Sequence, residues 1–498
     1  LILYVTNIYN YPFIQGKIRD SSILLENNRQ IWVFINIRPT FEVKLNTNIL
    51  KPTLPKGTRD FLPLDIKKRD FIFTTIRHHF KLFGYDAIET PAMESLETLM
   101  GKYGDEGDRL LFKILNNGDY LQGVSDDLIE RKDSQGLIRQ ISKRGLRYDL
   151  TVPFARFIVM NRQNIKFPFK RSAIQPVWRA DKPQKGRYQE FYQCDADVAG
   201  SSSLYYEAEL IRLYDGVFKA LNVPVVIRWN NRKVLYGIIE TAGLVDEFQL
   251  VTVVIDKLDK IGKEGVKAEL MAKNFSEDSI NILFDMIECN HLEELMISMK
   301  SETGLKGIEE IKEVMRHLES SPMHNMLKLD ATLARGLGYY TGCIFEVNAF
   351  GVNMGSIGGG GRYDNLTEIF GLKGVSGVGI SFGVERIYDV MNELQLFPKE
   401  VSQGKGILIS CIDTESFPYS IQIVDQLRSN NIACELYPEV AKLQKQMSFA
   451  NESGFLRVAL VGDNERSQGK VTLKNMETGN QEMVTVEELI SRIKEHSL

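Results

Sequence analysis

Between Arg162 and Tyr188 the chain carries eight basic residues, Arg162, Lys166, Lys170, Arg171, Arg179, Lys182, Lys185 and Arg187, against one acid, Asp181. The formal net charge of the whole chain is -4, so this window is a local basic patch in an acidic molecule. Phe167, Phe169, Trp178 and Tyr188 interleave with the cations. Cations attract phosphates and aromatic rings stack on bases, so the combination suits a nucleotide or nucleic-acid ligand. A charge run alone would equally describe a solvated face. Three further elements are ready for anions. Leu333 to Gly342 sets Arg335 among apolar and glycine residues ahead of the pair Tyr339 and Tyr340; there a guanidinium needs a carboxylate or phosphate, whether from a ligand or from a structural ion pair. Gly355 to Asp364 holds four consecutive glycines without the Lys-Ser/Thr of a phosphate loop, which suits close approach of a ligand or backbone to a strand. Gly377 to Arg386 runs from a glycine-bearing strand into a helix, placing Arg386 near an N-terminus that favours anions. Four such elements point to a polyphosphate substrate.

Alternation says how these groups are presented. If the basic window is two strands joined by the loop Ala180–Gly186, then Arg187, Phe191, Gln193 and Asp197 share one face of the second strand, while Tyr188, Tyr192, Ala196 and Val198 take the other. On the first strand Val177 and Arg179 point opposite to Ile174 and Trp178. A sheet with one greasy face and one face of arginines, an amide and a carboxylate reads as a ligand floor. An exposed antiparallel face carries the same pattern, and alternation leaves both readings open.

The elements around this floor describe an α/β (α+β) protein. Ile66, Phe73, Ile76, Phe80 and Phe83 recur at helical spacing and predict a helix over Asp65–Phe83. Strands are expected around Ala173–Arg179, Arg187–Val198, Cys343–Val347 and Ser376–Ser381. Residues 246–324 are expected to be a mostly helical insertion, with Ile308, Ile311, Met315 and Leu318 as its apolar stripe. From Gly404 the short strands Ile407–Cys411, Ala433–Tyr437 and Arg457–Val461 alternate with helical segments, the mark of a small α/β domain. The expected division is therefore 1–50, 51–403 and 404–498. The first fifty residues hold nine Ile and seven Asn but no Ala or Met. They read as an appended segment or as translated sequence upstream of the start, without chemistry of their own.

Composition closes off other classes. Hydrophobic residues at 43% and charged residues at 25%, with 39 glycines and 15 prolines, exclude collagen-like, disordered and coiled-coil chains. The five cysteines form no C-x-x-C pair and the six histidines are scattered, so no metal site built from protein ligands alone is expected, and isolated thiols fit a reducing compartment. No apolar run approaches the roughly 20 residues that span a bilayer, and no signal peptide is read. The expectation is a cytoplasmic protein with no membrane partner.

Several segments resemble the histidyl-tRNA synthetase family of class II aminoacyl-tRNA synthetases. They are Pro55-Lys-Gly-Thr-Arg-Asp60, Leu146-Arg-Tyr-Asp-Leu-Thr-Val-Pro153, Asp181-Lys-Pro-Gln-Lys-Gly-Arg-Tyr-Gln-Glu-Phe191, Ala334-Arg-Gly-Leu-Gly-Tyr-Tyr340 and Gly358-Gly-Gly-Gly-Arg-Tyr-Asp364. The similarity runs in family order from about Pro55 to the C-terminus. It implies a six-stranded antiparallel catalytic sheet, a C-terminal anticodon-binding domain, a homodimer, and activation of L-histidine with ATP and Mg²⁺ before transfer to the 3′ end of tRNA(His). Carried residue by residue, it implies that Arg179, Arg187 and Arg386 hold ATP. Arg335 contacts the histidine carboxylate and α-phosphate and is catalytic together with Arg179 and Arg386. Asp149, Thr151 and Gln193 receive the α-amino group. Asp197 and Tyr340 read the imidazole beside Tyr339 and Tyr363, and Gln184 and Lys185 meet the tRNA acceptor end. Gly338 departs from the Asp or Asn usual in its box, so it lacks a side chain to orient Arg335. The alternative from another class is a non-catalytic paralogue, the regulatory subunit of ATP phosphoribosyltransferase. Such proteins lack the anticodon-binding domain and have degraded motifs.

Overall fold

The computed structural model describes residues 51–100, 109–289, 291–334, 339–402 and 404–495. The segment 1–50 and the residues Arg335 and Gly338 singled out above lie outside the described residues.

Eight strands form the large sheet: β1 (Asp86–Ala87), β2 (Phe169–Trp178), β3 (Glu190–Ala199), β4 (Val225–Asn231), β5 (Met326–Leu329), β6 (Cys343–Ala349), β7 (Gly358–Arg362) and β8 (Gly377–Gly383). Their order is β1-β2-β3-β8-β7-β6-β4-β5. The six inner strands are antiparallel throughout, and β1 and β5 add one parallel strand to each edge. The glycine run Gly358–Gly361 is thus a central strand and not a phosphate loop.

One face of the sheet is greasy. Cys194, Ala196, Val198, Phe345, Ile380 and Phe382 are buried there with Ile72, Ile76 and Phe80 of helix α1 (Pro63–Leu82) and with α2 (Tyr205–Ala220). Helix α1 starts two residues before the expected Asp65. Pro63 at its first turn needs no amide partner, and the Asp65 carboxylate accepts the Leu62 N–H at 2.9 Å. Its inward stripe is Arg69, Ile72, Ile76 and Phe80, so Ile66 is 42% exposed instead of buried. Arg69 is tolerated inside because it donates to Glu385 at 2.9 Å.

Helices from Phe248–Ile255 to Glu302–Leu318 fill the expected helical stretch, and Val251, Leu270, Phe284, Ile308 and Ile311 belong to the same hydrophobic cluster as the sheet. The apolar stripe of the last helix is Ile308, Ile311, Val314 and Leu318, and Met315 faces outward. At the C-terminal end, strands Lys405–Cys411, Cys434–Leu436 and Phe455–Val461 are parallel, and Lys470–Asn475 and Gln481–Thr485 extend the sheet antiparallel. This sheet buries two clusters of its own, one around Ile409, Leu427 and Leu489 and one around Leu408, Ala450 and Val458. No helix among the described residues is long and apolar enough to cross a membrane.

Candidate active site

The other face of the large sheet is the floor of a cleft of about 630 Å³. Register places its groups in rows that run across the strands. Arg171, Asp197, Gly379 and Gly361 form one row; Ala173, Asp195, Ser381, Gly359 and Glu346 form the next; Gln175, Gln193 and Gly383 form a third. Expected site residues Asp149, Thr151, Arg179, Gln184, Lys185, Arg187, Gln193, Asp197, Tyr339, Tyr340, Tyr363 and Arg386 all line this cleft. The alternation read on β3 is the alternation seen, except that Arg187 and Tyr188 precede the strand. They sit in the loop, where Gly186 turns at φ +70° and Gln184 and Arg187 bridge antiparallel.

One end of the cleft is acidic and phenolic. Asp149 is buried ahead of the helix Thr151–Met160, and its carboxylate accepts the Val152 N–H at 3.1 Å and the Tyr339 hydroxyl at 3.3 Å. The Tyr363 hydroxyl donates to Asp197 at 2.5 Å, and the Arg171 guanidinium lies 2.8 Å from Asp197 and 3.7 Å from Asp195. Arg171 is fully buried and also donates to the Leu150 carbonyl at 3.1 Å. One cation therefore serves two carboxylates. Burial pushes both up in pKa, Asp195 to about 7, against the pull of Arg171. Burial, and then the carboxylates of Asp149 and Asp197, likewise raise the Tyr340 hydroxyl, which stays protonated as a donor. Three acceptors on the floor are buried without a hydrogen bond, Gln193 Oε1, Asp195 Oδ1 and Asp197 Oδ2, the last of them in an ion pair with Arg171. Unpaired buried acceptors are costly, and in a cleft they mark where a ligand's donors go.

The other end is cationic. Arg386, in the first turn of the helix Val384–Glu393, donates through Nε to Gly186 at 2.6 Å and through Nη1 to Ser356 at 2.5 Å. Burial, then Arg187 and Arg179, lower its pKa, because three guanidinium groups crowd one region. Arg179 donates to the Tyr148 carbonyl at 3.1 Å and stacks 4.4 Å from the Tyr148 ring centroid and 5.1 Å from that of Phe191. Arg187 keeps one distant acid, Asp181 at 3.6 Å, and Lys185 reaches Glu393 at 2.9 Å. The loop itself is pinned through Tyr188, which donates to Asp389 at 2.8 Å and accepts from Arg59 at 2.9 Å. Arrayed cations without enough acids relieve their repulsion by taking up a polyanion.

Sequence reasoning missed Arg171, Asp195 and Ser381. Asp195 follows the same alternation as Gln193 and Asp197 and could have been found; Arg171 looked like one more cation of the basic run. Glycine is required at Gly379, where a Cβ would overlap the Asp197 carboxylate, and at Gly361, where it would press on the Cys343 carbonyl and the Tyr340 ring.

A family model described as Histidyl-tRNA synthetase matches residues 131–387, and one described as Anticodon binding domain matches residues 406–496. The chain is 52% identical over 450 residues to the histidine–tRNA ligase of Phocaeicola vulgatus, covering 89% of this chain and 99% of that one. It is 53% identical over 440 residues to that of Porphyromonas gingivalis, covering 87% and 97%. The crystal structure of histidyl-tRNA synthetase from Nostoc sp. PCC 7120 covers 90% of this chain and 100% of its own, with a TM-score of 0.75 and 27% identity. A Bacillus halodurans C structure described as an ATP phosphoribosyltransferase regulatory subunit/histidyl-tRNA synthetase shares the fold at TM-score 0.67 and 21% identity, over 83% and 99% of the two chains. With the family model matching more than half of its length and curated relatives matched nearly end to end, the chain belongs to the histidyl-tRNA synthetase family.

Proposed function

We infer that the protein is a histidine–tRNA ligase. It joins L-histidine to ATP as histidyl-adenylate with release of pyrophosphate, then transfers the histidyl group to the 3′ end of tRNA(His) with release of AMP. The observation that carries the reading is one cleft with an acidic, phenolic end at Asp149, Asp197, Tyr340 and Tyr363 and an arginine end at Arg179, Arg187 and Arg386. The substrate matches it charge for charge. An ammonium and an imidazole N–H meet carboxylates and phenols, while a triphosphate meets guanidinium groups.

In the first step a histidine carboxylate oxygen attacks the α-phosphorus. The new bond is carboxyl oxygen to phosphorus, the broken bond is phosphorus to the pyrophosphate oxygen, and no protein nucleophile is needed. Two anions must be brought together, so fixed cations where charge builds are the catalytic requirement. Arg179 and Arg386 meet that need at the phosphates with Arg187 from the loop, and Arg335, by family resemblance, at the new bond. Asp149, Thr151 and Gln193 hold the ammonium; Asp197 and Tyr340 read the ring, with Tyr339 and Tyr363 bracing them. Gln184 and Lys185, exposed on the loop beside Arg187, meet the tRNA acceptor end. No three metal-ligating side chains converge among the described residues. Mg²⁺ needs only one or two carboxylates when phosphates and water supply its other ligands. Glu346, on the floor of the cleft, fits that role, and the ion would neutralise phosphate charge.

The active unit is a cytoplasmic homodimer, with residues 51–403 as the catalytic part, its helical insertion at 246–324, and residues 404–498 as the anticodon-binding part. The C-terminal match weighs against the ATP phosphoribosyltransferase regulatory subunit, which lacks that domain. Histidine-dependent ATP–pyrophosphate exchange, followed by aminoacylation of tRNA(His), tests the assignment. Absence of exchange with an intact fold overturns it. Arg335→Ala is expected to lose about a hundredfold or more of the exchange rate while remaining folded, the magnitude of losing one charge contact to a transition state.

A further inference from the structure

On the floor of the cleft, Gln193 shows an asymmetry. Its Nε2 donates to the Ser381 hydroxyl at 2.9 Å, while its Oε1 is buried without a partner. Ser381 stands opposite Asp195 in the β3–β8 ladder, on the cleft side, so its hydroxyl and the Asp195 carboxylate are cross-strand neighbours, and the hydroxyl opposes the rise in the acid's pKa that burial causes. Asp195 is 3% exposed, and the cation it pairs with among the described residues, Arg171, stands closer to Asp197. A directed chain results. When Asp195 is ionised its carboxylate can only accept, so it takes the one hydroxyl proton of Ser381; that leaves Ser381 an acceptor, which the Gln193 NH₂ meets.

We propose that Asp195 is a positioning residue that acts through the Ser381 hydroxyl to hold the Gln193 amide with its oxygen, and not its nitrogen, toward the substrate ammonium. The inference rests on the reading above that Gln193 receives the α-amino group of histidine. A flipped amide would set Oε1 against Ser381, force Ser381 to donate to it, strip Asp195 of its donor and turn an NH₂ toward an ammonium. Each consequence is unfavourable in a buried network. The acid thus fixes a polarity that the amide cannot fix for itself.

The test uses the full-length chain and three probes read by competition in the exchange reaction or by direct titration. L-Histidine carries ring, ammonium and carboxylate; histidinol keeps ring and ammonium; imidazolepropionate keeps ring and carboxylate. Asp195→Ala and Ser381→Ala are each expected to weaken histidine and histidinol about tenfold, the scale of a hydrogen bond to a charged group. Imidazolepropionate should stay within about twofold of the parent, and the double variant should be no worse than either single one. Asp195→Asn keeps an acceptor for Ser381 and should recover most of the loss; if Asp195→Ala does not fold, this variant and Ser381→Ala carry the test. Gln193→Ala separates the two levels of the argument. If it weakens imidazolepropionate as much as histidinol, the amine assignment fails and the proposal with it. If Gln193→Ala discriminates but Ser381→Ala or Asp195→Ala does not, or if the two losses add, the positioning role is overturned while the amine assignment stands.

Discussion

Arg171 sits between Asp195 and Asp197 as a single buried cation for two buried acids, and a site of this kind trades stability for chemistry. The pKa of Asp195, pushed up by burial to about 7 from 3.8, sets the sign. Between those values the folded protein binds more protons than the unfolded chain, so stability falls as pH rises from about 4 to about 7 and is flat above. Asp195→Asn removes the acid and leaves Arg171 and Asp197 paired one to one. Its melting temperature should exceed that of the parent at pH 8, with the gain shrinking towards pH 4.5; an equal gain at both values would mean that Asp195 does not titrate as its burial requires. Asp197 and Asp149 should divide the substrate between them. Asp197→Asn, chosen because alanine would strand Arg171 inside, should weaken discrimination against histidine analogues altered in the ring. Asp149→Asn should weaken histidine and such analogues alike, as a contact to their shared ammonium must. Inhibition constants for a ring-altered analogue beside those for histidine check the division. Much of this site was legible in the sequence because a period of two needs only one strand. The pairing of Arg171 with Asp197 was not, because it depends on the register of two strands. A loop drawn as Ala180–Gly186 sets Arg179 against Arg187, whereas the real hairpin sets Trp178 against Glu190. That slip of two keeps every side chain on its face and changes every partner.

At the scale of elements, β7 and β8 are thin because the carboxylate and tyrosine they carry beside them are thick. Gly379 faces Asp197 across the ladder, and the space a Cβ would take is already filled by the Asp197 carboxylate. Gly379→Ala is therefore expected to lower the melting temperature, by an overpacking cost of about 1–3 kcal/mol, and to weaken histidine binding together with it. Gly383→Ala on the same strand is the control. Its Cβ would meet the Ile357 carbonyl at 3.5 Å, an ordinary contact, so its melting temperature should stay near the parent value. Equal losses from both would mean that β8 needs glycine for its backbone and not for Asp197. The glycine run could be recognised in the sequence as a place of close approach, but not what approaches. Strands β4 and β5 escaped sequence reading altogether. Met326–Leu329 is a four-residue edge strand, too short for a period to declare itself, and Val225–Asn231 is buried through Val225, Ile227 and Trp229 while Arg228 on its cleft side pairs with Asp330 at 2.8 Å. In the helix Glu302–Leu318 the sequence reading takes Met315 into the inward stripe, where the structure has Val314. Both fit a 3.6-residue period to within a residue, and packing into the apolar cluster of the large sheet decides for Val314.

For the whole molecule the question is whether two grips on one tRNA are separable. The apolar cluster of the large sheet draws on residues from Ile72 to Met391 as its buried members, and the two clusters of the C-terminal sheet draw only on residues from Ile407 to Ile493. Cores that share no member can be parted without opening either, provided the cut respects the last helix on each side. The short helix Lys399–Ser402 packs against α1, so a chain ending at Gln403 keeps it. Every residue assigned to histidine and ATP, from Asp149 to Arg386, lies upstream of that end. The truncated chain should then retain histidine-dependent ATP–pyrophosphate exchange and lose most of its aminoacylation. Two linked sites work through effective concentration, so removal of one lowers avidity by roughly 10²–10⁴ without altering the other. The exposed loop cations Lys182 and Lys185 remain, and an electrostatic grip strengthens as salt falls, so residual charging should rise at low ionic strength and high tRNA. The comparison is exchange against aminoacylation for the same preparation across a salt series. Equal loss of both would assign the C-terminal part to the fold or the dimer, and equal retention would deny it any hold on tRNA. A loss confined to aminoacylation and relieved by low salt is the outcome that two independent cores and one shared substrate require.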